Sequence, residues 1–222
     1  MFKLFTSRPL ATMDRQWLVR PVATMLTLGL CAAGGTLAAD APTDTALKVD
    51  ENSFRCIRQM DPVRHFYVDN LLGNKDGTLA AANAAKGAVY PPGSVVQLVP
   101  TEVMVKREQG FSPATGGWEF FELEVSESGS KIRARGFADV NNRFGKNCFA
   151  CHVPAREPWD FVCESGHGCD PIPIDRAMTG ALQRSDPRCG APTPQPGDTM
   201  ALFKLRALVV VGTAVGWVKG LF

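Results

Sequence analysis

Cys148, Cys151 and His152 stand together in "NCFACH" (residues 147–152) as C-x-x-C-H. Two thiols at this spacing can form a redox dithiol, supply half of a zinc site, or bond the two vinyl groups on one porphyrin edge. A histidine directly after the second cysteine marks the third case, because it falls over the porphyrin face where it can ligate iron. The spacing is the signature of c-type haem attachment, whereas a redox dithiol expects a βαβ setting that is absent here. A zinc site wants a second ligand pair, and "CESGHGC" offers Cys163, His167 and Cys169 for one. The reading carried forward is one covalent haem c on Cys148 and Cys151, with His152 on the metal.

The other chemistry-bearing residues are less decisive. Met60, Met104, Met178 and Met200 are possible axial ligands, although a strand methionine is more often core. His65 lies beside apolar residues and reads as a partly buried histidine with a hydrogen-bond partner rather than a second iron ligand. Glu102, Glu108, Arg133 and Arg135 are candidates to line a pocket, and Phe120, Phe121 and Phe137 to cap a metal.

Cysteine usage depends on the compartment. Lys3, Arg8, Arg15 and Arg20 precede an apolar stretch from Val22 to Ala33, followed by small residues up to Asp40. This pattern predicts a secretory signal over residues 1–39 and hence a periplasmic protein. An uncleaved membrane anchor is the other reading, and "LGLC", ending at Cys31, is a poor lipoprotein box. Residues 1–39 hold four Lys/Arg and one Asp, so the formal charge of +2 falls to −1 without them. With no Lys/Arg-rich run either, nothing points to nucleic acid. In an oxidising compartment cysteines pair or carry a cofactor. Cys56, Cys163, Cys169 and Cys189 remain outside the motif and allow three pairings. A small-loop disulfide Cys163–Cys169 is the plain reading, and Cys56 with Cys189, or a cross-pairing, would complete the set.

The elements that must position these residues follow from pattern and punctuation. An apolar content of 45% suits a real core. Residues 40–53 are polar and small and read as a flexible leader. Asp61-Pro62, then Val63, Phe66, Tyr67 and Leu71, predict a helix over 62–72. The Ala-rich stretch 76–87 predicts a second short helix. After the turn "YPPGS" (90–94), strands are predicted at 94–99, 102–108, 118–125 and 131–137, joined by Gly- and Ser-rich turns. A haem-binding domain is expected over 54–189, a Pro-rich linker over 190–200 and an apolar tail over 201–222. The uncharged run from Ala207 to Val218 is shorter than the roughly 20 residues of a spanning helix. Docked, interfacial and spanning tails stay open, so membrane contact through the tail is possible.

Four stretches carry a family resemblance: Tyr90-Pro91-x-Gly93 opening a strand, "VMVKR" at 103–107, "GGWEFF" at 116–121 and "CFACH" at 148–152. Over Cys56 to Ile174 the chain resembles the cytochrome P-460 and cytochrome c-prime-beta superfamily. The resemblance implies an α+β fold, mainly antiparallel β-sheet with flanking helices, usually a homodimer, holding one haem c with His152 proximal. It implies a small gas or a redox partner protein as the partner: small diatomic ligands for c-prime-beta members, hydroxylamine oxidation for P-460 members. The latter carry a lysine cross-link to the porphyrin, and this chain has Leu98 at about that place. Lys106, the nearest strand lysine, matches a lysine of the next strand and reads as a solvated strand end. The expectation is therefore a c-type cytochrome that binds a diatomic ligand or transfers electrons. A hydroxylamine-type oxidoreductase and a non-haem disulfide or zinc protein are the alternatives.

Overall fold

A computed structural model describes residues 47–219, with side chains to residue 211. The expected signal, Cys31 and the first part of the leader lie outside the described residues.

Six strands form one antiparallel sheet, β1 (Asp61–Val63), β2 (Phe66–Asn70), β3 (Ser94–Val99), β4 (Glu102–Lys106), β5 (Trp118–Ser126) and β6 (Gly129–Gly136). Each pairs with its sequence neighbour, in the order β1-β2-β3-β4-β5-β6. Among the described residues four α-helices accompany it: α1 (Lys75–Ala82), α2 (Cys148–His152), α3 (Arg176–Arg184) and α4 (Asp198–Lys219). The architecture is α+β with a mainly antiparallel sheet, as the strand pattern predicts.

The period-2 alternation of side chains sorts the strands onto two covered faces. Val68, Val96, Met104 and Phe120 pair across four strands and share one core with Phe66, Tyr90, Trp118, Phe161 and Val162. One residue along, Val95, Val103, Val105, Phe121 and Leu123 face the other way, into a second core with Phe54, Ile57 and Met60. Trp118 is fully buried in the first core and Phe121 is 1% exposed in the second. Burial of each such side chain contributes about 2–3 kcal/mol. Leu47 and Val49 also join the second core. Composition had assigned them to a flexible leader, but this stretch covers the sheet from residue 47 onward.

The helix predicted over 62–72 is instead the β1–β2 hairpin. The spacing of Val63, Phe66 and Tyr67 fits a helix stripe, but here Phe66, Val68 and Asn70 are buried while Tyr67 and Asp69 are half-buried, an alternating pattern. Arg64 takes a left-handed turn conformation, with φ 53°, which ends β1 and lets β2 return. The Ala-rich stretch does form a helix, α1, capped by the Asn74 side chain accepting from Gly77 N–H.

Two disulfides, Cys56–Cys189 and Cys163–Cys169, tie the loops. Helix α4 begins by docking: Ala201, Leu202 and Leu205 pack with Met178 and Ala181 of α3, and Arg184 pairs with Asp198 at its start. Among the described residues no helix is long and apolar enough to cross a membrane.

Candidate functional site

Helix α2 is five residues long and consists of the motif itself. So short a helix needs help from outside. The Asn147 side chain caps it, accepting from Ala150 N–H at 2.9 Å, while its amide donates to the carbonyls of Phe137, Ala138 and Val140. The cap thus fastens the helix start to the end of the sheet. Phe149, one of the two residues inside C-x-x-C, anchors the helix body. Its ring meets those of Phe137 and Phe161 at 5.8 Å and Phe120 at 6.1 Å.

His152 is held from two sides. Its ring lies 5.2 Å from Phe120, edge on, and its Nδ1 sits 2.6 Å from the Phe161 carbonyl oxygen. A carbonyl only accepts, so Nδ1 carries the proton and donates, leaving the lone pair on Nε2. Burial lowers the pKa of this imidazole, against the opposing effect of the Phe161 carbonyl, so the ring is neutral near pH 7. A metal-binding histidine is neutral and fixed in orientation by a hydrogen bond from its other ring nitrogen.

Cys148 and Cys151 are the free cysteines among the described residues, both half-buried. Burial, reinforced by Glu102 and Glu122, pushes the Cys148 thiol up to about 12. A redox dithiol needs a thiolate at neutral pH, so this thiol is poorly suited to disulfide exchange.

The face of the sheet turned towards α2 supplies Met104 and Phe120, with Leu98, Ala134 and Cys148 packed against the same core. Glu102 and Glu122 are cross-strand partners on this face. Two carboxylates directly opposite repel, and here Arg133 and Arg143 both pair with Glu122. Burial raises the pKa of Glu102, so its carboxyl holds a proton more tightly than an exposed one.

The register divides the remaining candidates. Phe121 faces the opposite core, against Phe54, and Arg135 follows it there, pairing with Glu119. Glu108 accepts from Leu47 N–H, away from α2. Phe137 is 39% exposed and meets the site through the Phe149 ring and, by its carbonyl, the Asn147 amide. Met60 lies in the opposite core, Met178 under α4, and Met200 is exposed. Met104 alone of the four methionines shares the face of Phe120.

Three expectations need correction. Lys106 is not a solvated strand end: it is 6% exposed, grips Asp160 at 2.6 and 2.7 Å and lies over the Trp118 ring. Cys163 and Cys169 are bonded to each other, so they form no zinc set with His167, which instead stacks on Trp159 at 3.7 Å. His65 is not satisfied, for its Nδ1 is buried without a hydrogen-bond partner. Cys56, Asp186 and Cys189 bring their ligand atoms within 4.8 Å of one another. There, however, the sulfurs are joined as a disulfide and Asp186 faces Arg188 and the Ile57 N–H, an arrangement that needs no metal.

Fold and site together define a single-sheet α+β protein with a C-x-x-C-H helix seated on one sheet face. No protein-family model, curated protein or solved structure matches the chain.

Proposed function

We propose that this chain is an exported mono-haem c-type cytochrome that binds a small diatomic ligand or transfers electrons at the haem iron. The observation that carries the reading is the tautomer of His152, Nδ1 bound to Phe161 and Nε2 free, directly after two unpaired cysteines on one capped helical turn. The donor set fits a haem c: two thiols for the vinyl groups and one neutral imidazole for the metal. Bound haem would supply the redox change and a coordination position for a small ligand. The protein residues hold and shield it. Cys148 and Cys151 fix one edge, and Phe161 fixes the plane of His152. Phe120, Met104 and Leu98 keep water from that sheet face, where burial raises the pKa of Glu102. The two disulfides accord with an oxidising, extracytoplasmic compartment.

The raised pKa of Glu102 also suits a hydroxylamine-type oxidoreductase, since a carboxyl shifted upward can act in general acid–base chemistry. Leu98 and the engaged Lys106 weigh against the cross-link such an enzyme would carry.

The test is purification from a host with a haem c maturation system, followed by ferrous absorption spectra with and without nitric oxide. A high-spin spectrum that shifts with the gas supports ligand binding, and a low-spin spectrum unmoved by it supports electron transfer. A strongly red-shifted Soret band would favour the cross-linked enzyme. No haem band after verified maturation would overturn the proposal.

A further inference from the structure

Helix α4 carries two apolar stripes. Ala201, Leu202 and Leu205 form the inner one, packed with Met178 and Ala181 of α3. At about 3.6 residues per turn, Met200, Phe203, Ala207 and Val211 form a second stripe on another side of the same helix. All four are exposed, Phe203 by 67% and Val211 by 59%. A helix on the surface of a soluble domain has one apolar stripe and a polar outer face. A contiguous apolar patch left exposed marks contact with a partner or a membrane. An apolar groove of about 370 Å3 runs beside the outer stripe, between Phe203, Ala207, Leu208 and Val211 of α4 and Met178 of α3.

The charges decide what covers this face. Lys204 and Arg206 are exposed and fall on either side of the outer stripe. Residues 199–222 hold Lys204, Arg206 and Lys219 and no Asp or Glu, and Asp198 at the helix start is taken by Arg184. An apolar stripe edged by cations complements a surface with anionic groups outside and hydrocarbon beneath. A second copy docked through the same face would instead set these cations against their own kind, with no carboxylate beyond Asp198 on the helix to offset them. Length argues against crossing. The part of α4 beyond Leu205, as far as Lys219, rises about 21 Å, short of the roughly 30 Å of a bilayer core.

We propose that the outer face of α4 docks on an anionic phospholipid surface, with Phe203 and Val211 entering the boundary between headgroups and acyl chains and Lys204 and Arg206 meeting the lipid phosphates. This contact goes beyond the haem reading and does not depend on it.

The test is flotation of the purified full chain with two kinds of vesicle, phosphatidylcholine alone and phosphatidylcholine mixed with phosphatidylglycerol, at low and high salt. Binding to the mixed vesicles is expected, about ten-fold weaker on phosphatidylcholine and largely lost at high salt. Lys204→Gln and Arg206→Gln should each weaken it about five-fold. The double variant Phe203→Ser/Val211→Ser should weaken it about ten-fold or more. All four substitutions are at exposed positions, so unchanged melting temperatures should accompany these losses. Absence of vesicle binding overturns the proposal, as does equal binding to the two kinds of vesicle. Binding unchanged in every variant overturns it too, because the lipid contact would then lie elsewhere, as in the apolar stretch Val22 to Ala33. A dimer that the double variant abolishes, without vesicle binding, would give the face to a second copy instead.

Discussion

The Nδ1 of His152 lies 2.6 Å from the carbonyl oxygen of Phe161, nine residues further along the chain. Phe161 is itself buried and sits at φ 65°, a left-handed conformation uncommon for a bulky side chain. Its carbonyl is therefore aimed by a specific backbone turn, and that turn decides which imidazole nitrogen is left to meet a metal.

The first prediction concerns attachment against ligation. A Cys148→Ala/Cys151→Ala double variant should lose covalent haem, read as loss of the haem stain on a denaturing gel. His152→Ala should keep both thioether bonds and change the spin state seen in the absorption spectrum. Covalent haem surviving in the double variant would refute the attachment site.

The second concerns the buried ion pair. Lys106→Met leaves Asp160 buried without its cation, and breaking such a pair costs about 3–5 kcal/mol. Burial already raises the pKa of Asp160, with Lys106 acting in the opposite direction. Adding Asp160→Asn removes the stranded charge while keeping an acceptor for the Tyr90 N–H, so the double variant should recover much of the loss. Urea midpoints of wild type, single and double variants measure this. A single variant as stable as wild type would mean that the pair contributes nothing.

A third concerns the Cys56–Cys189 bridge, which joins residues 133 apart. In the loop-entropy account a cross-link of this span stabilises by about 5 kcal/mol. Cys56→Ser/Cys189→Ser should therefore unfold at a markedly lower temperature. Removal of the Cys163–Cys169 bridge, which spans 6 residues, should matter much less. Calorimetric melting of the two double variants gives the order.

The docking of α4 should be acid-sensitive. Asp198 is held down to about 2 by Arg184, helped by the Gln195 N–H. A carboxylate whose folded pKa lies below its unfolded value contributes above the unfolded value and loses that contribution as pH falls through the folded one. The α3–α4 contact should thus weaken between about pH 4 and pH 2. Asp198→Asn should already show the weakened contact at pH 7 and little further change on acidification, which hydrogen exchange along α4 would follow.

Much of this was legible in the chain itself. β3 matched its predicted span, and β4, β5 and β6 lay close to theirs, because turn residues bracket them and their apolar residues alternate. The hairpin of β1 and β2 was hidden, since a two-residue turn at Arg64–His65 gives Val63 and Phe66 the spacing of a helix face. The motif was plain in the sequence, but its support was not. Phe120 and Phe121 are equivalent on paper, and only the strand register puts Phe120 beside His152. Asp160 lies 54 residues from Lys106, and nothing local announces that pairing.

The Cys56–Cys189 bridge closes the whole sheet, α1, α2 and α3 inside one covalent ring. The exposed turn around Phe111 is an obvious point of attack for a protease. A single cut there would open the ring without releasing a fragment, so the two pieces would run together on a non-reducing gel and separate only after reduction. Such a nick would leave helix α2 tethered to both halves of the sheet.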